Sequence, residues 1–319
     1  MKKFLKDLEE ELRKNNLNEE EIADIIADHR EMIDSAINDG LTDAELEEKF
    51  GNPKDVAEEL SQFSDKEEKG REKKKMKSKE LNGIESNYNV NVGLINEDIV
   101  FKHADGDSIL VEYTGKRDLE EYTITYENNE FVLHSPKRME REIGMFGNQQ
   151  RLFTVTLPNN KKINKFKLSE INGDIVVADI EAEEFEFNTK NGDVKFANMI
   201  LDTFKISTIN GDLEIDGCKA AMLTISQISG DMELKNSIIK HDIDINTVSG
   251  DLEFENVECV NFRLKSVSGD LDGKEFYPER VSLTSVSGDI SIKNKDSARP
   301  IEIQHKKTVS GDVEIKYQK

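Results

Sequence analysis

The sequence predicts a mainly β protein: a parallel β-solenoid of about eight coils of about 19 residues, with a small α-helical bundle at its N-terminal side. Three observations lead to this fold class. A Gly-Asp pair preceded by Asn or Ser recurs eight times, apolar and polar residues alternate between the pairs, and residues 1–63 carry apolar residues at helical spacing. At 319 residues the chain is long enough for two domains.

Residues 1–63 show the spacing and the end signals of three to four short helices. Ile22 and Ile25 fall on one face of a helix. The pair Asn52-Pro53 supplies an N-cap followed by Pro at the first helical position, and Gly51 is placed to end the preceding helix. These signals predict a small helical bundle.

A charged segment, residues 64–83, follows the predicted bundle. Residues 69–79 hold seven basic groups and one acid, whereas residues 1–63 hold eight basic and 19 acidic groups. The basic stretch contains no aromatic residue, so we interpret the segment as a solvated linker. The alternative is contact with an anionic membrane surface, for which residues 69–79 are the one candidate segment.

The Gly-Asp pairs follow a nearly constant period. The repeat glycines are Gly173, Gly192, Gly211, Gly230, Gly250, Gly269, Gly288 and Gly311, at intervals of 19, 19, 19, 20, 19, 19 and 23 residues. Apolar residues stand two and four positions after the glycine, as at Leu213 and Ile215, and again 12 and 14 positions after it. Alternation by two is the strand period, so each repeat is one coil with two short strands. The glycine is expected at a corner that needs positive φ or close approach of neighbouring coils.

Repeated hairpins are the alternative, because Asn-Gly is a strong hairpin signal. A propeller blade, however, needs about 40–45 residues. The residue before the glycine is Asn in the first three copies and Ser in the next five, as expected if each side chain bonds to its counterpart one coil away. The solenoid is therefore favoured, with the Val of each Ser-Val-Ser-Gly-Asp copy pointing inward. One interior file is expected to contain Ile180, Met199, Cys218, Val257 and Phe276.

The aspartates that follow the repeat glycines, from Asp174 to Asp312, allow two interpretations. Like charges repeated once per coil repel one another unless cations or backbone N–H groups satisfy them. The calcium-binding pattern Gly-Gly-x-Gly-x-Asp is absent from the sequence. Turn acceptors are therefore favoured over a file of divalent cations, and we expect no metal and no cofactor.

Composition restricts the function. The formal net charge is −22, Trp is absent and only 7% of residues are aromatic, which argues against nucleic-acid binding. The five histidines are scattered, so no catalytic cluster is expected. Cys218 and Cys259 fall in different coils and are expected to remain unbonded. No signal peptide or membrane-spanning stretch is recognisable, which predicts a cytoplasmic location.

The repeat region resembles a known family. Through its Ser/Asn-Gly-Asp-apolar coils and the segment Phe153-Thr154-Val155-Thr156-Leu157-Pro158, the region 84–319 is similar to the bacterial β-strand-repeat family called "putative adhesin". Through the stretch FGNPKDVAEEL at 50–60, residues 1–63 resemble the helix-turn-helix-associated α-helical signalling (HAAS-like) domain of Firmicutes. We expect N-terminal capping strands at 84–170, because the first of the coils at 171–319 would otherwise present an open sheet edge.

The same resemblance implies a non-catalytic protein-interaction scaffold linked to envelope-stress regulation in a Gram-positive bacterium. A protein partner is expected and nucleic acid is not. The candidate partner-binding residues are Glu45, Glu47, Glu48, Glu58 and Glu59. Two alternatives stay open: an exported cell-surface adhesin, and a carbohydrate-active β-helix enzyme, which the scattered histidines and missing aromatic platform disfavour.

Overall fold

The computed structural model describes Leu8, residues 11–14, Lys54, and residues 76–136 and 151–317. The chain divides into two compact units, Met1–Lys75 and Met76–Lys319. In the first unit, Leu8, residues 11–14 and Lys54 are helical, and Leu8 and Leu12 are buried. The remainder of the predicted helical bundle lies outside the described residues.

The second unit is a β-solenoid of about eight turns. Its strands in chain order are β1 Lys77–Leu81, β2 Asn87–Gly93, β3 Asp98–Ala104, β4 Ile109–Thr114, β5 Thr123–Glu127, β6 Glu130–His134, β7 Leu152–Pro158, β8 Lys162–Ser169, β9 Ile175–Ala178, β10 Glu181–Asn188, β11 Val194–Ala197, β12 Ile200–Thr208, β13 Leu213–Asp216, β14 Lys219–Gln227, β15 Met232–Thr247, β16 Leu252–Ser266, β17 Leu271–Ser285, β18 Ile290–Asn294, β19 Glu302–Thr308 and β20 Val313–Tyr317. A 3₁₀ turn, Leu119–Glu121, precedes β5.

Each repeat contributes a strand to each of two faces. Face A holds the strands that follow the Gly-Asp pairs: β9, β11, β13, the first parts of β15 to β17, β18 and β20. Face B holds β8, β10, β12, β14, the second parts of β15 to β17, and β19. All of these neighbours are parallel, as Phe185 opposite Phe204 shows, with register shifts between β14 and β15, between β15 and β16, and between β17 and β19. A parallel register rules out hairpins, so the solenoid prediction is confirmed.

Both faces continue on the N-terminal side of the first coil. On face A, β3 pairs with β9 and β7 in parallel, and β4 and β1 then add antiparallel strands. On face B, β2 pairs with β8 and β6 in parallel, and β5 adds an antiparallel strand. Strand β1 falls within residues 64–83, which the sequence analysis treated as linker. Its sequence, KSKEL, lies mostly exposed at the edge of the sheet and carries no apolar alternation.

The core runs the length of the solenoid between the two faces. The predicted interior file is confirmed: Ile180, Met199, Cys218, Val257 and Phe276 are each at most 1% exposed. Ser237 occupies this file in the coil of Gly230 and is also fully buried; its Oγ donates to the Lys235 carbonyl and accepts from the Cys218 amide. Aromatic rings from both faces meet edge to edge, as Phe185 of face B and Phe196 of face A do at 5.4 Å.

Candidate functional site

The Gly-Asp corner, defined here as the four residues from two before each repeat glycine to one after it, is the most regular surface of the solenoid. Seven of the eight glycines, all but Gly173, have φ between +107° and +117°. A Cβ built on Gly250 would lie well under 3.0 Å from the Gly230 carbonyl oxygen. Both the backbone conformation and the close approach require glycine here.

An asparagine ladder lines the first coils of this corner. Asn191 Nδ2 donates to Asn172 Oδ1 at 2.8 Å, and Asn210 Nδ2 donates to Asn191 Oδ1 at 2.9 Å. Asn172 Nδ2 in turn donates to Asn96 Oδ1 at 2.7 Å. The predicted ladder therefore exists and begins one coil earlier than the repeat, at a position where Glu97 replaces the glycine.

The predicted serine ladder, in which each serine hydroxyl bonds to the serine one coil away, is wrong. Ser249 Oγ donates to the Ile228 carbonyl at 3.2 Å and not to another serine. The coils are joined at this position through the main chain, as in the bond from the Ser268 amide to the Val248 carbonyl at 2.9 Å. A serine hydroxyl is shorter than an asparagine amide, so it reaches the nearby carbonyl rather than the next side chain.

The aspartates form a second, continuous ladder. The Asp193 amide donates to Asp174 Oδ1 at 3.0 Å, and the same bond repeats at 2.7–3.0 Å up to the Asp312 amide on Asp289 Oδ1. Asp98 starts the series by accepting from the Asp174 amide. The carboxylates from Asp174 to Asp289 are thus main-chain acceptors, as expected, but they accept from the amide of the next coil and not from their own turn. All eight repeat aspartates stay exposed, so a row of negative charge follows the corner.

The prediction that the Val of each Ser-Val-Ser-Gly-Asp copy points inward is wrong: Val267 and Val286 are both 47% exposed. The residue before each Val is buried instead, because its hydroxyl satisfies a corner carbonyl; Ser266 Oγ donates to the Ser268 carbonyl at 3.3 Å. The outward residues form an apolar row along consecutive coils. It consists of Ile209, Ile228, Val248, Val267, Val286 and Val309, which are 39–74% exposed.

The apolar row and the aspartate row border separate shallow grooves. A groove of about 470 Å³ runs along the apolar row between Ile209 and Val267. A second, of about 660 Å³, lies beside the aspartate ladder, where Glu214 and Glu233 of face A add further carboxylates. The corner thus presents aliphatic side chains and negative charge side by side, separated by the narrow strip of Ser, Asn and Gly.

A second corner was missed by the sequence analysis. Residues six positions after most repeat glycines have positive φ: Asp179, Asn198, Gly217, Asn236, Asn256 and Glu275. Asn256 Nδ2 donates to Asn236 Oδ1 at 3.0 Å, so this corner also carries ladder bonds. The recurrence of Asn, Asp and Gly, the residues that best tolerate the left-handed conformation, was the available signal.

The glutamates proposed for partner binding, Glu45, Glu47, Glu48, Glu58 and Glu59, lie outside the described residues. Within residues 76–136 and 151–317 and the few described N-terminal positions, no three His, Cys, Asp or Glu side chains are arranged to hold a metal ion. No helix in the described part of the chain is long and apolar enough to span a membrane. Both cysteines are buried and unbonded, as predicted.

Comparison with solved structures finds the same fold at low sequence identity. A crystal structure called "putative lipid binding protein" from Parabacteroides distasonis matches with a TM-score of 0.55 and 15% identity, over 76% of this chain and 97% of that chain. A "putative adhesin" from the same species matches with a TM-score of 0.52 and 13% identity, over 76% and 98% of the two chains. No curated protein matches.

Family profiles match both parts of the sequence. The profile of the HAAS family matches residues 3–59, which agrees with the resemblance drawn from the sequence. The profile of the family called Toastrack DUF4097 matches residues 88–243 and 223–319, which together span the solenoid. Because this match extends over more than half of the chain, the protein belongs to the Toastrack DUF4097 family.

Proposed function

We propose that the protein is a non-catalytic interaction scaffold, and that the Gly-Asp corner of its solenoid binds a protein segment carrying alternating apolar and basic side chains. The apolar row carries this proposal. Six aliphatic side chains in six consecutive coils, from Ile209 to Val309, are exposed at the surface and are not part of the buried core.

The length and rigidity of the row distinguish it from scattered surface residues. With neighbouring strands about 4.8 Å apart, six coils give a row about 24 Å long. A single exposed aliphatic residue is ordinary, whereas a contiguous apolar patch marks an interaction site. The glycine stacking and the two ladders hold the corner in one conformation, so a partner would meet a surface that is already ordered.

The chemistry of the partner follows from the neighbouring charge. The aspartate ladder places one exposed carboxylate per coil next to the apolar row. Lys or Arg side chains of a partner would pair with these carboxylates, and such exposed charges set partner choice and association rate more than affinity. A segment with aliphatic side chains on one edge and basic ones on the other satisfies both rows.

Binding of defined peptides to the full chain tests the proposal. A fluorescent peptide of alternating Val and Lys should bind, and its affinity should fall as salt rises; a Val and Glu peptide should not bind. The double variant Val248→Asn with Val267→Asn should weaken binding at least about tenfold, since two apolar contacts are lost. Ile238→Asn is the matched control, because Ile238 is 48% exposed but lies away from the corner. Equal binding by the double variant and the control would refute the assignment.

We further propose that the N-terminal domain links this scaffold to envelope-stress regulation from the cytoplasm. The HAAS match at residues 3–59 supports a signalling role for that domain. Charge reversal of Glu45, Glu47 and Glu48 in the full chain should weaken a signalling contact, while leaving the peptide affinity of the corner unchanged.

The name of the Parabacteroides adhesin favours the alternative of a surface adhesin. Fractionation of host cells distinguishes the cytoplasmic scaffold from the surface adhesin. Recovery of the protein on the cell surface would refute the cytoplasmic location and favour the adhesin.

A further inference from the structure

The N-terminal side of the solenoid contains a cavity of about 370 Å³ with an unusual polar group in its wall. Gly93, Leu94 and Ile95 form one part of the wall, and His134, Ser135 and Glu170 form another. The volume falls at the small end of ligand cavities. It lies where the first coil meets the strands that precede it, away from the apolar row.

Glu170 is the group that needs a partner. It is only 3% exposed, and its Oε1 accepts from the amides of Ile171 and Asn172 at 3.0 and 3.2 Å. Its Oε2 is buried and has no hydrogen-bond partner in the described structure. The equivalent position one coil later is Thr189, a neutral residue that donates to the Asn191 carbonyl. A carboxyl group here is therefore not required by the coil geometry.

The surroundings of Glu170 are acidic. Burial is the main cause that raises the pKa of Glu170 to about 8; the two amide bonds oppose this rise, and the nearby carboxylates Glu97 and Asp98 add to it. Glu97 is itself satisfied, since it accepts from the hydroxyls of Tyr122 and Ser135 and from two amides. The uncompensated carboxyl in this cluster is that of Glu170.

His134 completes the wall with an acceptor. Asn91 Nδ2 points to Glu130, so Asn91 Oδ1 accepts from His134 Nε2 at 3.2 Å. This assigns the proton of the neutral ring to Nε2 and leaves Nδ1 as an acceptor. Burial lowers the pKa of His134, so the ring stays neutral at pH 7 and does not supply a cation to Glu170. Glu170 Oε2 therefore has no cation from His134 to pair with.

We propose that this cavity binds a primary ammonium group with a short apolar stem, with Glu170 as its counter-ion and Leu94, Ile95 and Ile171 against the stem. An ammonium group is a compact cation with three hydrogens to donate, which suits a small site with one unpaired carboxyl oxygen. On binding, the neutral carboxyl of Glu170 loses its proton to the buffer, and the resulting carboxylate pairs with the ammonium.

Calorimetric titration of the full chain with butylammonium chloride at pH 7 tests this site. In two buffers of different ionisation enthalpy, binding should release close to one proton per site, because the carboxyl is mostly protonated before binding. 1-Butanol, which matches the stem but lacks the charge, should not bind. A lysine side chain is the other source of the same chemistry, so an N-acetylated Ala-Lys-Ala amide is titrated in parallel. Tighter binding of the peptide would identify a protein lysine as the natural ligand, and tighter binding of butylammonium a free amine.

Two variants make the test decisive. Glu170→Gln and Glu170→Thr, the second of which copies Thr189, should each weaken butylammonium binding at least tenfold and abolish proton release, with the fold retained by circular dichroism. Glu253→Gln is the control, since it removes one exposed charge elsewhere on the solenoid. The proposal is wrong if butylammonium does not bind, if binding releases no proton, or if the Glu170 variants bind as well as Glu253→Gln. The corner variants of the proposed function leave this result unchanged, so the two proposals fail separately.

Discussion

Substitution of one corner glycine by alanine should destabilise the solenoid far more than the same substitution at a positive-φ glycine that has free space around it. Gly250 has φ +116°, and an added Cβ would overlap the Gly230 carbonyl. Gly83 has φ +76°, and nothing lies within 4 Å of the position that an added Cβ would take. Both changes incur the left-handed backbone penalty of about 1–2 kcal/mol. Only Gly250→Ala adds a steric conflict between two coils.

The size of the extra effect follows from the bonds that surround Gly250. Relief of the overlap requires the two coils to separate by roughly 1 Å, about a fifth of the strand spacing. That movement weakens the Ser249 amide bond to Ile228 at 3.0 Å and the Asp251 amide bond to Asp231 at 2.9 Å. With each bond contributing about 1 kcal/mol, and with core packing disturbed, we expect Gly250→Ala to lower the free energy of unfolding by about 4 kcal/mol or more.

Denaturant unfolding followed by circular dichroism measures both variants. Because repeat proteins can unfold in parts, hydrogen exchange should accompany it and locate the loss of protection in the coils on either side of Gly250. Gly83→Ala should cost only about 1–2 kcal/mol. A destabilisation by Gly250→Ala within about 1 kcal/mol of that by Gly83→Ala would refute the stacking argument.

Four further outcomes are expected. Asp231→Asn should keep the ladder bond and match or exceed wild-type stability at low salt, whereas Asp231→Ala should lose about 1 kcal/mol in denaturant unfolding. Cys218, whose pKa burial raises to about 12, and Cys259 should resist a thiol reagent until the protein unfolds. The free energy of unfolding of the wild type, relative to that of Glu170→Gln, should fall as pH rises from about 4.5 to about 8 in pH-dependent melting, because the unfolded chain releases the Glu170 proton first. A fragment starting at Ile171 should be less soluble than one starting at Gly83, by sedimentation.

The repeat could be found from the sequence because its strongest signals are backbone requirements. Gly250 and its counterparts cannot be replaced without loss of the corner, so the repeat period stays recognisable in the amino-acid sequence. The position of Val267 was misjudged because strand alternation was continued through the corner. There the buried position goes to Ser266, whose hydroxyl satisfies a main-chain carbonyl that an aliphatic side chain would leave unbonded.

Other features carried weaker sequence signals. Asn96 and Asp98 belong to the two ladders, but Glu97 stands where the glycine would have revealed them. The Glu170 cavity joins segments that lie far apart in the chain, and no local motif connects them. His134 enters the same wall only because β6 and β8 both pair with β2.

The aspartate ladder also has a direction. In every bond the acceptor belongs to the earlier coil and the donor to the later one, from Asp98 and Asp174 to Asp289 and Asp312. During synthesis from the N-terminus, each emerging coil therefore finds its acceptors already in place on a finished template. We therefore expect the solenoid to grow vectorially, one coil at a time, from the strands β2 and β3 that pair with the first coil.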